Sequence, residues 1–170
     1  MSNPSLTNDV ALKDSATPPI SLKYIHGVFI EVFGKGVLLT GNSGIGKSET
    51  ALALLDRKNC LISDDVVSFQ ISSCGKKIMG TCPTEKLQGF LEVRSLGILD
   101  VKHLFGPDLL KKDASLDLIC ELVSASVINR AERIQTQEQL LGMTIPKVVL
   151  PVFPGRNMAL LVETMVRTQK

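Results

Sequence analysis

Tryptophan is absent from this 170-residue chain, tyrosine occurs once and histidine twice. With aromatic residues at only 4%, the stacking platforms that hold single-stranded nucleic acid are missing. An excess of one charge is missing too. Nineteen basic side chains stand against 17 acidic ones, and a net charge of +2 with scattered lysines excludes nucleic acid as the main partner. No apolar run approaches the roughly 18 residues of a membrane span, and the polar start "MSNPSLTNDV" does not read as a signal peptide. No membrane partner is expected, and the cytoplasm is the expected compartment. Cys60, Cys74, Cys82 and Cys120 form no C-x-x-C pair and have no histidine pattern beside them. They read as reduced thiols, not as a disulfide framework or a zinc site.

What is present is a chain that is 44% hydrophobic and long enough for one domain with a real core. Residues 1–19 are rich in Ser, Thr, Asn and Pro, lack periodicity and read as a flexible tail before a single domain over residues 20–170. From Ser21 strands and helices alternate. "SLKYIHGVFIEVF" reads as a strand broken at Gly27, and "KGVLLTG" as a short buried strand. A helix is expected from Lys47 to Lys58, with Ala51, Leu52, Leu54 and Leu55 facing inward. "NCLISDDVVSFQI" reads as strand, acidic break, strand. "PTEKLQGFLEV" holds a helical turn, and "GILDVKHLF" passes from extended chain into another. "SLDLICELVS" and "IPKVVLPVF" are strands, and "RNMALLVETMVRTQK" has helical spacing. The order argues an α/β class with a mixed sheet and flanking helices.

Between "KGVLLTG" and the first helix lies the pattern G-x-x-x-x-G-K-[ST], filled by Gly41, Asn42, Ser43, Gly44, Ile45, Gly46, Lys47 and Ser48. Each part has a physical reason. Glycines let backbone N–H groups converge on phosphate oxygens, and the helix N-terminus adds partial positive charge. Lys47 is placed to neutralise the outer phosphates and the Ser48 hydroxyl to bind Mg²⁺. A nucleoside triphosphate and Mg²⁺ are therefore the expected ligands, and the loop alone fixes nothing narrower. Asp64 and Asp65 end the apolar run "CLIS" and fit either an acidic turn or a metal ligand beside a base. Glu92 and Arg94 in "FLEVRSLG" fit a surface ion pair or a site. His26 and His103 fit structural roles when taken alone.

Together these pieces resemble the catalytic domain of HPr kinase/phosphorylase, the bacterial enzyme that phosphorylates a serine of the phosphocarrier HPr. The resemblance is carried by "HGVFIEVFGKGVLLTGNSGIGKSETALALLDR", "LISDDVV", "IMGTCP", "FLEVRSLGILDVKHLFG" and "IPKVVLPVFPGRNMALLVE", in family order over about residues 21–165. "LEVRSLGILD" resembles the family's own signature, which ordinary P-loop proteins lack. The resemblance implies a P-loop mixed sheet akin to phosphoenolpyruvate carboxykinase, ATP with Mg²⁺ as phosphoryl donor, an HPr-like phosphocarrier as substrate, and a homo-oligomer, usually a hexamer.

It also implies roles. His26 falls at an active-site histidine, Lys47 at the phosphate-binding lysine and Ser48 at the metal-binding serine. Asp65 falls at the proton acceptor and donor, with Asp64 supporting the metal beside it, and Glu92 at a second magnesium ligand. An active-site arginine matches Arg133, with Arg130 as the alternative. Pro151–Arg156 matches a loop the family uses in dephosphorylation. Three departures stand out: Phe153 where the family loop has arginine, Ser95 where the signature has glycine, and Asn42 where aspartate is common. The long members' N-terminal domain has no counterpart, so the chain is read as a short single-domain form. Two other activities remain open to the same residues: a P-loop kinase acting on another protein or a small molecule, and a nucleotide-binding regulatory module with little turnover.

Overall fold

The computed structural model describes residues 21–127 and 134–169. The strand break expected at Gly27 separates β1 (Leu22–His26) from β2 (Val28–Val32). A turn leads into β3 (Lys35–Gly41), the loop 42–46 and α1 (Lys47–Asp56). Next come β4 (Cys60–Ser63), β5 (Val66–Ile71) and β6 (Ile78–Thr81). A small hairpin follows, β7 (Phe90–Val93) with β8 (Gly97–Asp100), and then the short α2 (Val101–Phe105). The chain ends with β9 (Asp113–Ser124), β10 (Ile134–Leu140), β11 (Met143–Val152) and α3 (Met158–Thr168). No helix among the described residues is long and apolar enough to cross a membrane.

Nine strands form one mixed sheet. β3 lies between β2, antiparallel to it, and β9, parallel to it. β9 also pairs parallel with β11 and, at its start, antiparallel with β6. Because β3 is covered on both faces, Val37, Leu38 and Leu39 are all fully buried, and this explains the unbroken apolar run.

Successive side chains of a strand point to opposite faces. Val28, Ile30, Val37 and Leu39 therefore pack with α1 and α3, while Phe29 and Leu38 pack with Phe69 and Ile78 on the other face. In β9 this alternation changes phase. Ala114 and Leu116 face the second cluster, but Leu118, Cys120 and Leu122 face the first. The change coincides with a bulge, where β3 passes from pairing Gly36 with Leu116 to pairing Val37 with Leu118. Asp117 is the extra residue, and its Oδ2 accepts hydrogen bonds from the Gly36 amide and the Ser115 hydroxyl, both at 2.9 Å.

α1 buries Ala51, Leu54 and Leu55 completely, as its spacing predicts, while Leu52 is only half-buried. α3 is preceded by Asn157, whose side chain accepts from the Leu160 amide and caps the helix. The two helices are joined by Glu163 of α3, which is 4% exposed. Arg57 donates to its Oε2 through Nε at 2.8 Å and Nη2 at 2.6 Å, and Asn59 donates to Oε1 at 3.0 Å. Arg57 holds the Glu163 carboxyl below its ordinary value of 4.5 against the opposing effect of burial. A carboxyl with a lowered native pKa contributes stability above its unfolded value and loses it as the pH falls through the native one. Glu163→Ala leaves the buried Asn59 amide one partner short, while the Arg57 side chain, 39% exposed, can rehydrate. The expected loss is about 2–3 kcal/mol at pH 7. Thermal unfolding should show it as a midpoint lowered by roughly 5–10 °C, with the difference from wild type shrinking below pH 4.5.

Candidate functional site

Loops at the carboxyl ends of parallel strands are where α/β sheets place ligands. Gly41 ends β3 opposite Leu122 of β9, and the chain then turns through the glycine-rich loop into α1. Two positions show why glycine is needed. Gly41 has φ 129°, and a Cβ there would lie 2.2 Å from the Leu122 carbonyl oxygen. Gly46, immediately before α1, has φ 106°. Both conformations are open to glycine and strained for other residues.

Lys47 is the first residue of α1 and is buried to 8% exposure. Its Nζ folds back to donate to the carbonyls of Gly41 at 2.9 Å and Asn42 at 3.1 Å. The ammonium is thus pinned over the loop. Thr50 fixes the turn below by donating to the Gly46 carbonyl at 2.7 Å.

The acidic break between β4 and β5 is a tight turn. The Val66 amide donates to the Asp64 carbonyl at 2.8 Å, and Asp65 between them has φ 67°. A three-residue turn with positive φ is uncommon and strained for a residue with a side chain. Outside bonds hold it: the Gly27 amide donates to the Asp65 carbonyl at 2.9 Å, and Ser63 Oγ donates to the Val66 carbonyl. Strand pairing puts His26 beside Val66, so the strand break at Gly27 turns the histidine toward the aspartate. His26 Nδ1 and Asp65 Oδ1 are 3.1 Å apart. Asp64 turns the other way, where its Oδ2 accepts from the Glu92 amide of β7 at 2.8 Å. Burial pushes the Asp64 carboxyl upward, against the hydrogen bonds from Glu92 and Asp65 that pull it down.

These residues share one open cleft of about 240 Å³, lined by His26, Ser43, Gly44, Gly46, Lys47, Ser48, Asp64, Asp65 and Glu92. Gly41 and Asn42 contribute carbonyls behind Lys47, and Ile45 packs against the core beneath. Arg133 and its alternative Arg130 lie outside the described residues. Pro151–Arg156 does not line the cleft. There the Arg156 guanidinium sits 5.2 Å from the Phe153 ring centroid. His103 lies away from the cleft, its amide donating to the Asp100 side chain that caps α2.

Of the charged lining residues, Glu49 was not singled out from the sequence, and Arg94 was left between a surface ion pair and a site. Arg94 was open to being the ion-pair partner of Glu92. Among the described residues the two form no such pair, and Arg94 instead lies against Gly44. The alternation in "LEVR" was the available signal, since it puts Glu92 and Arg94 on one exposed face.

Four acidic side chains (Glu49, Asp64, Asp65, Glu92) face two basic ones, Lys47 and Arg94. A polyanion enters such a cleft only if cations enter with it. No three His, Cys, Asp or Glu side chains among the described residues converge as a closed metal cage. Mg²⁺ held by one or two protein oxygens and by phosphate needs no such cage, and Ser48, Asp64 and Glu92 fit that open type.

Residues 20–170 match the family described as the HPr Serine kinase C-terminal domain. The HPr kinase/phosphorylase of Bordetella petrii is 47% identical over 146 residues, covering 84% of this chain and 47% of its own. That of Alkaliphilus metalliredigens is 40% identical over 162 residues, covering 94% of this chain and 51% of its own. The chain thus spans about half the length of these curated relatives. The solved structure of the HPr(Ser) kinase/phosphatase from Coxiella burnetii superposes with a TM-score of 0.79 at 35% identity, covering 85% of this chain and 88% of that one.

Proposed function

Because the chain belongs to the HPr serine kinase C-terminal domain family, we propose that it is an ATP-dependent protein kinase acting on a serine of an HPr-like phosphocarrier. The observation that carries this reading is the His26–Asp65 pair facing the glycine-rich loop across one cleft. A phosphate loop alone holds a nucleotide. A carboxylate across from it, oriented by an imidazole, adds a base at the place where an acceptor hydroxyl must arrive.

The incoming serine hydroxyl gives its proton to Asp65. His26 engages Oδ1 and so leaves Oδ2 as the accepting oxygen. As the serine oxygen forms its bond to the γ-phosphorus, the bond from that phosphorus to the β–γ bridging oxygen breaks and ADP departs. Lys47 exchanges its carbonyl partners for phosphate oxygens and, with the loop amides, gathers the charge of the transferring group. Mg²⁺ would be held by Ser48 and by Asp64 or Glu92, and when bound it neutralises phosphate charge. The family's homo-oligomer, usually a hexamer, belongs to the same reading, and Leu96, Ile98 and Leu104 leave apolar surface that such an assembly would cover. A cytoplasmic location belongs to it as well.

Incubation with γ-labelled ATP, Mg²⁺ and HPr from the same organism should give acid-stable, base-labile phosphoserine on HPr. Absence of that label overturns the reading. The direction of the reaction is a second expectation. In reverse, inorganic phosphate attacks phosphoserine, Asp65 returns its proton to the serine oxygen, and pyrophosphate forms. Phe153 leaves that direction without the cation the family loop carries. Forward kinase activity should therefore exceed phosphorolysis, and Phe153→Arg should raise pyrophosphate release about tenfold. Rapid pyrophosphate release by the unmodified chain would refute this.

A further inference from the structure

Arg94 follows β7 at the start of the turn into β8, two residues beyond Glu92. It is exposed, and among the described residues its guanidinium makes no hydrogen bond or ion pair. Yet the group has a defined place. A Cβ built on Gly44 would lie 2.6 Å from Nη1 and 3.0 Å from both Cζ and Nη2 of Arg94. The planar cation therefore rests on the face of the phosphate loop that Gly44 leaves bare. Gly44 has φ 78°, a second reason for glycine that is independent of the arginine.

A guanidinium offers five donors in a rigid fork that matches two oxygens of one phosphoryl group. All five are unspent here. Lys47, the other basic side chain of the cleft, is already bonded to the Gly41 and Asn42 carbonyls. The side from which Arg94 enters is also informative. β7 carries Glu92, whose amide holds Asp64, the neighbour of Asp65. Arg94 thus reaches the loop from the acceptor side of the cleft, where the outermost phosphate of a nucleotide meets the attacking hydroxyl.

We propose that Arg94 is a further catalytic residue, which binds the terminal phosphate of the nucleoside triphosphate by a bidentate contact and so separates triphosphate from diphosphate. It stays on the phosphoryl group as that group moves from ADP to the acceptor oxygen, neither donating nor receiving a covalent bond. This assignment rests on the kinase reading, but its primary readout is nucleotide binding, which requires no protein substrate.

Calorimetry with Mg²⁺ would compare a non-hydrolysable ATP analogue and ADP on the wild-type chain, Arg94→Ala and Arg94→Lys. Arg94→Ala should weaken the ATP analogue about 10- to 100-fold and ADP less than about threefold. Arg94→Lys should fall between, because an ammonium keeps the charge but not the fork. The thermal midpoint should not move, since no protein partner is lost. Equal weakening of both nucleotides, or none, overturns the assignment while leaving the kinase reading standing. Wild-type protein that binds neither nucleotide would overturn both.

Discussion

Asp65→Asn should leave the fold and nucleotide binding intact and lower kcat for phosphoryl transfer by about 10²- to 10⁴-fold, the usual range for a lost general base. The choice of asparagine matters. Asp65 has φ 67° in its turn, a conformation that asparagine adopts readily and alanine does not. Asparagine keeps an oxygen for His26 but accepts no proton from the serine. Alanine would mix backbone strain with lost chemistry. Single-turnover measurements with saturating ATP check the claim. If kcat changes less than threefold while phosphate still reaches HPr, the base lies elsewhere. If nucleotide affinity collapses instead, the residue serves the metal.

Lys47→Met is expected to act differently. The ammonium sits at the loop with only 8% exposure, so its removal takes away positive charge where the phosphoryl group must be stabilised. A loss of about 10²- to 10³-fold in kcat is expected, as for other preorganised electrostatic groups. Nucleotide affinity should fall with it, which separates this variant from Asp65→Asn. The carbonyls of Gly41 and Asn42 also lose their donor, and the loop should become more mobile. Hydrogen exchange of the loop amides would report that change. Retained ATP affinity together with retained kcat would refute the role given to Lys47.

Most of the sheet was legible in the sequence because its buried strands carry unmistakable apolar runs. The break at Gly27 and the extended-to-helical passage at Asp100–Val101 were also legible. β6 and β10 were not. β6 is four residues long and contains Gly80, which reads as a loop residue. The structure needs glycine there, because a Cβ would lie 2.5 Å from the rings of both Phe29 and Phe69. β10, "IQTQEQL", is polar because it pairs only with β11. The bulge at Asp117 could not be seen in advance, since a shift of strand register leaves little mark in one sequence. Within the cleft, the loop and the Asp64–Asp65 pair were legible from their own residues. His26 was found only by resemblance, since one histidine beside a glycine carries little information. Arg94 was named, and of its two readings the ion pair with Glu92 does not form among the described residues. Its contact is with Gly44, fifty positions away and without a side chain to advertise it.

The long strand β9 fixes where the glycine-rich loop and the 151–156 loop begin. It pairs in parallel with β3 up to Gly41 and with β11 up to Val152, so both loops leave the sheet at the same edge on either side of one strand. Two strand spacings separate their starting points, roughly 10 Å. The ladder works as a caliper whose opening no side-chain change can alter. On the kinase reading, whatever reaches from the 151–156 loop toward a phosphate must do so by the length of a side chain, and the residue at 153 together with Arg156 sets that reach and its charge.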